Sequence, residues 1–109
     1  MKELVWMGSS YRDLREFPED AMQDAGYQLH RLQSGKLPMD WKPMAGIGQG
    51  VHEVRIHEES GAFRVIYVAK FTDAVYVLHA FQKKTQKTAQ HDINLARERF
   101  KAMTKERTA

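Results

Sequence analysis

Between Val51 and Phe81 the chain holds three apolar runs separated by two short polar breaks, and this stretch limits the possible folds more than any other. Val54 and Ile56 alternate with Glu53, Arg55 and His57, the period of a half-buried strand. Glu58-Glu59-Ser60-Gly61 supplies a hairpin connection. Phe63 to Phe71 is rich in β-branched and aromatic residues, and Thr72-Asp73 separates it from Ala74 to Phe81. The pattern predicts a three-stranded antiparallel meander. Its last two strands are apolar on both faces, so they belong at the centre of a sheet covered on both sides.

The flanking segments supply the covers. Leu4 to Met7 reads as a strand that stops at Gly8, and Ser9 or Ser10 can cap a short helix from Tyr11 to about Phe17. Phe17 precedes a proline and is biased toward an extended conformation. Pro18, Glu19 and Asp20 then open a second helix whose buried face is Met22, Ala25, Leu29 and Leu32, and Gly35 ends it. Lys36 to Gly50 contains Pro38, Pro43, Gly46, Gly48 and Gly50 and reads as an irregular loop, anchored by Trp41 and Met44. A final helix is expected from about Ala89 to Met103, with Ile93, Ala96, Phe100 and Met103 on one face and a frayed polar tail over 104–109. The order is β-α-α-β-β-β-α, an α+β domain spanning 1–109 with helices packed against an antiparallel meander.

Composition removes several classes of function. The chain has no cysteine, which excludes disulfide scaffolds, thiolate zinc sites and cysteine nucleophiles. No apolar run approaches the ~20 residues of a spanning helix, and Met1-Lys2-Glu3 does not open a signal peptide. A cytoplasmic protein without a membrane partner is the expectation. The mild net charge of +3 conceals an asymmetry. Residues 1–60 carry 7 Lys/Arg against 10 Asp/Glu, and residues 61–109 carry 10 against 4. A basic second half suits an anionic partner such as nucleic acid, although from charge alone a solvated basic face is the simpler account.

Two motifs mislead. His52-Glu53 and His57-Glu58 resemble pieces of a zinc-protease helix, but that motif needs histidines four apart on a helix. Here they are five apart on a strand, which sends them to opposite faces, so no metal site is expected. Gly46-Ile47-Gly48-Gln49-Gly50 lacks the spacing of a phosphate loop and leads into a strand, so backbone flexibility is its expected role. His30 and His79 sit inside regular elements and read as structural or exposed.

Chain direction gathers the positive charges. In an antiparallel meander the end of the first strand lies beside the start of the second, and that start beside the end of the third. Arg55, Arg64, Lys83 and Lys84 therefore collect at one end of the sheet, with Lys87 following. Such cations suit phosphate oxygens. In RNA strand scission the adjacent 2′-OH attacks phosphorus and negative charge grows on the phosphoryl oxygens, where each well-placed donor can contribute on the order of 3–4 kcal/mol. The proton transfers need groups that titrate near working pH: His52, Glu53, His57, His91, or a lysine among cationic neighbours. An exposed basic turn accounts for Lys83, Lys84 and Lys87 just as well; Arg64, opening an apolar central strand, is harder to explain that way.

Val51-His52-Glu53-Val54-Arg55-Ile56, Gly61-Ala62-Phe63-Arg64-Val65-Ile66-Tyr67 and Val77-Leu78-His79-Ala80-Phe81-Gln82-Lys83-Lys84-Thr85 together resemble the phage-derived Gp49-like, HigB-type toxins of the RelE/ParE superfamily. Asp40-Trp41-Lys42-Pro43-Met44 and Asp92-Ile93-Asn94-Leu95-Ala96 also fit. The resemblance implies a RelE-like fold and the toxin of a toxin–antitoxin pair, which cuts mRNA in the ribosomal A site without a metal or other cofactor. A helix-turn-helix antitoxin of the HigA kind would hold it in a hetero-oligomer. By position, Arg64 matches the arginine at the scissile phosphate, Arg55 a basic residue of the preceding strand, and Lys83 and Lys84 the basic pair after the last strand. On that reading Arg64, Lys84 and Arg55 are catalytic, and Lys83, Lys87 and Lys42 hold RNA. No tyrosine follows Tyr76, so the tyrosine or histidine that some relatives use near the C-terminus has only His91 as a counterpart. Two other readings compete: a ParE-like toxin that binds DNA gyrase without cutting RNA, and a non-toxic phage-derived RNA-binding module.

Overall fold

The computed structural model describes residues 1–108. The chain forms β1 (Glu3–Trp6), α1 (Ser10–Arg15), α2 (Glu19–Gln33), β2 (Trp41–Pro43), β3 (Val51–Glu58), β4 (Gly61–Val68), β5 (Ala74–Gln82) and α3 (Gln90–Thr108). The meander is present as β3, β4 and β5, and both neighbouring pairs are antiparallel. Two strands extend it to a five-stranded mixed sheet in the order β1-β5-β4-β3-β2. β1 runs parallel to β5 at one edge, and β2, inside the expected loop, runs antiparallel to β3 at the other. The sheet is therefore not purely antiparallel. Three residues ending in a proline are too short to show a period, so β2 is set by its pairing with β3 rather than by local sequence.

Both faces of the sheet are covered, as two-sided apolar strands require. Leu14 of α1, Phe17 of the connection, and Ala25 and Leu29 of α2 pack against Val54, Ile56, Phe63, Val65 and Val77. Ala96 and Met103 of α3 pack on the other face against Ile66, Val68, Tyr76 and Leu78. The strand that α3 chiefly contacts is β5. The part of this face over β3 and β2 is therefore left without a helix.

A register shift between Ile66 and Tyr67 pairs them with His79 and Val77, so Leu78 is extra on β5. Such a bulge lets two consecutive side chains point the same way. Leu78 joins the core under α3, and the next residue, His79, also meets α3. Its Nε2 lies 2.7 Å from Asp92 Oδ1, Arg99 Nη1 donates toward its Nδ1 at 3.2 Å, and Arg99 Nη2 donates to Ser9 Oγ at 3.0 Å. Ser9 stands at the N-cap of α1 but makes no capping bond; its hydroxyl donates to Asp13 instead.

The glycine-rich segment has a packing role beyond flexibility. A Cβ on Gly48 would sit 2.4 Å from the Phe100 ring, so the loop lies directly on α3 there. Gly50 has φ +81, which disfavours any residue with a Cβ. The C-terminal segment departs from expectation as well: α3 continues to Thr108 where fraying was expected from Thr104. Arg107 holds it, pairing with Asp73 at 3.1 Å and lying over the Phe71 ring at 3.9 Å. Ala109 lies outside the described residues. No described helix is long and apolar enough to cross a membrane.

Candidate functional site

The open face over β3 carries a dense charged cluster. Arg55 and Arg64 are direct cross-strand partners. Like charges side by side are unfavourable on a sheet, so each needs its own counter-ion. Arg55 donates from Nε and Nη2 to Asp40 Oδ1, at 3.0 and 2.8 Å, and its amide donates to the Asp40 carbonyl. Arg64 Nη1 donates to the Phe63 carbonyl, and its Nε lies 3.4 Å from Glu53 Oε1. Lys42, brought across by β2, places Nζ 4.0 Å from the same oxygen.

Glu53 is the centre of this arrangement. It lies two residues before Arg55 on β3, opposite Lys42 on β2 and Ile66 on β4. Its side chain is completely buried, and among the described residues neither carboxylate oxygen finds a hydrogen-bond donor. Burial pushes the carboxyl up from its usual value, while Arg64, Lys42, Lys83 and Arg55 pull it down. Arg64 is nearly buried as well, and loss of solvent lowers its guanidinium against the opposing pull of Glu53. Lys42 and Arg55 are partly exposed and form the outer rim.

The other sequence candidates separate by position. His57 is exposed at the rim, its Nε2 4.0 Å from Asp40 Oδ2. Lys83 extends the cluster: its amide donates to the Ala62 carbonyl, two residues from Arg64 on β4, and its charge acts on Glu53. Lys84 and Lys83 line a small groove of about 170 Å³ with Phe81, Ala89 and Asp92, and Lys87 is exposed nearby in sequence. His52 is not brought to the cluster. It points to the α2 side, tilted against Trp41 and edge-on to Tyr67, and burial lowers its pKa. His91 is exposed and lines a separate cleft with His79, Leu95 and Asp13.

Asp40 was absent from the sequence candidates, although it stands beside Lys42 in the recognised Asp40-Trp41-Lys42 block. The His79, Asp92, Arg99 and Ser9 network was missed too. Its trace is Asp92 and Arg99, seven residues apart and so on one face of α3. Among the described residues no three His, Asp or Glu side chains converge as a metal ligand set.

This architecture, a mixed sheet with α1 and α2 on one face and α3 partly covering the other, is that of the RelE toxins. The free state of a double arginine-to-alanine mutant of the Escherichia coli toxin RelE superposes with a TM-score of 0.63 at 10% identity, over 94% of this chain and 97% of that one. At that identity the likeness concerns the fold. The family follows from sequence: residues 12–101 match the model described as phage derived protein Gp49-like (DUF891), and the chain belongs to that family. No curated protein matches the chain.

Proposed function

We propose that this chain is the toxin of a toxin–antitoxin pair and an endoribonuclease that cuts mRNA on the ribosome. The observation that carries the reading is the convergence of Arg55, Arg64, Lys42 and Lys83 around Glu53 on the sheet face that α3 leaves open. Membership of the Gp49-like family and the RelE fold support it.

In this reading a phosphodiester settles on the rim formed by Lys42, Arg55 and Lys83, with Arg64 beneath it. Among the described residues Arg64 Nη2 has no hydrogen-bond partner, which leaves it for a phosphoryl oxygen. The ribose 2′-OH attacks phosphorus, the bond to the 5′-oxygen breaks, and the cations stabilise the charge on the phosphoryl oxygens. His57, exposed and beside Asp40, is the titratable group best placed to move a proton. Lys84 and Lys87 extend the positive track for the strand, and the antitoxin covers this face with acidic residues.

The test is induction of the protein in a bacterial host, with mapping of mRNA 5′ ends and a gyrase supercoiling assay on the purified protein. Codon-phased cuts with normal supercoiling are expected. Intact mRNA would overturn the nuclease reading, and intact mRNA with inhibited gyrase would establish the ParE-like alternative.

A further inference from the structure

A buried carboxylate that accepts no hydrogen bond is costly to keep charged. Glu53 has only cations to support it: Arg64 from β4, Lys42 from β2, Arg55 from its own strand and Lys83 from the end of β5. The same four groups form the proposed RNA-phosphate site. Glu53 and an incoming phosphate must therefore share one set of positive charges.

We propose that Glu53 is the internal counter-ion of this site, keeping its cations assembled in the absence of RNA and taking up a proton when a phosphodiester displaces it. The proposal rests on the RNA reading above and adds to it a positioning residue and a proton coupled to binding. Without an anion at their centre, four positive groups would repel one another and splay toward solvent. A phosphodiester on the rim brings a second negative charge toward Glu53 and draws the cations outward. Both changes disfavour the ionised carboxylate and favour its neutral acid. By linkage, the phosphodiester then binds more tightly as pH falls, with a limit of about tenfold in Kd per pH unit for one linked proton. Asp40 and His57 also border the rim, so the test is made without the His57 imidazole.

The experiment uses the full chain in a His57→Gln background with 2′-O-methyl tetrauridylate, which is not cleaved and holds no proton that titrates between mildly acidic and neutral pH. Two readouts are followed at low salt. One is proton uptake, from calorimetry in buffers of different ionisation enthalpy; the other is the titration midpoint of the Glu53 side-chain carboxyl carbon by NMR. Proton uptake on binding and an upward move of the Glu53 midpoint are expected. Adding Glu53→Gln should abolish the uptake and flatten the pH dependence, because an amide takes up no proton. Binding with the Glu53 midpoint unmoved overturns the proposal, as does a folded Glu53→Gln protein that binds with the same proton uptake. If Glu53→Gln does not fold, the NMR midpoint decides alone. Failure of the His57→Gln protein and the wild type to bind at low salt overturns the RNA reading itself, and this proposal with it.

Discussion

His79 Nε2 lies 2.7 Å from Asp92 Oδ1, and this contact ties the interior strand β5 to the first turn of α3. Arg99 donates to the other ring nitrogen, which fixes Nε2 as the protonated one and the ring as neutral. Burial lowers the His79 pKa, against the upward pull of Asp92. The unfolded chain, with His79 near 6.5, then binds more protons than the folded one in the window just below that value. The stability owed to a neutral His79 is complete above about pH 6.5 and declines as pH falls toward the folded pKa, at up to about 1.4 kcal/mol per pH unit. Urea unfolding at mildly acidic and neutral pH should show this loss in the wild type and a flatter profile in His79→Gln. Equal pH dependence in the two proteins would refute the assignment.

The Glu53–Arg64 pair makes a sharper demand. Arg64→Ala leaves a carboxylate buried without its nearest counter-ion, at a cost of about 3 kcal/mol. Adding Glu53→Gln removes the stranded charge, so the double variant should recover most of that loss in a double-mutant cycle. If the proposed reaction is right, both proteins should still fail to cut mRNA on ribosomes, by about 10²-fold or more, because the guanidinium proposed as donor to the phosphoryl oxygen is gone. The double variant thus separates folding from chemistry. Normal cutting by that protein would remove Arg64 from the proposed reaction.

Lys42 sits at the rim, with its side chain 44% exposed, so its loss should be felt in binding more than in stability. Lys42→Ala is expected to weaken RNA binding uniformly across sequences. It should also reduce the slope of log K against log salt by about 0.7, the contribution of one phosphate contact on a single strand. Fluorescence anisotropy with two unrelated oligonucleotides over a salt series measures both. A change confined to one sequence would show that Lys42 reads bases instead.

The meander was legible because its strands carry their own period and turns, and chain direction alone was enough to bring Arg55 beside Arg64. Three features were not legible, each because it depends on residues distant in sequence. Alternation puts Glu53 on the polar face of β3, but Lys42 and Arg64 close over it, and β2 is too short to announce itself. The bulge at Leu78 turns His79 toward α3 against simple alternation. Arg107 orders the last turns of α3 through Asp73 and Phe71, partners more than thirty residues away.

That last contact can be tested directly. Arg107 bonds both Asp73 oxygens and the Tyr76 hydroxyl while its guanidinium lies over Phe71. Arg107→Ala should fray the end of α3, seen as faster amide exchange from Met103 onward and a slightly lower Tm. Arg107→Lys should not restore protection, because a lysine supplies the charge without the planar fork. Unchanged exchange in Arg107→Ala would mean that helix propensity alone holds this segment.

The loop that delivers Asp40 and Lys42 to the site is fastened at Gly48. A methyl group there would enter the Phe100 ring, whereas one on Gly46 meets nothing within 4 Å. Gly48→Ala must shift either the ring or the loop and should cost about 1–3 kcal/mol, the usual range for overpacking. Gly46 has an ordinary backbone conformation, so Gly46→Ala should be neutral or stabilise by up to about 1 kcal/mol through the unfolded state. If the loop is what positions Lys42, Gly48→Ala should also weaken RNA binding at a temperature where the protein stays folded, and Gly46→Ala should not. Denaturant unfolding and anisotropy on the two variants decide the matter. Equal behaviour would show that the glycines serve flexibility alone, and a destabilised Gly48→Ala protein with normal binding would show that the loop's seat on α3 is independent of the site.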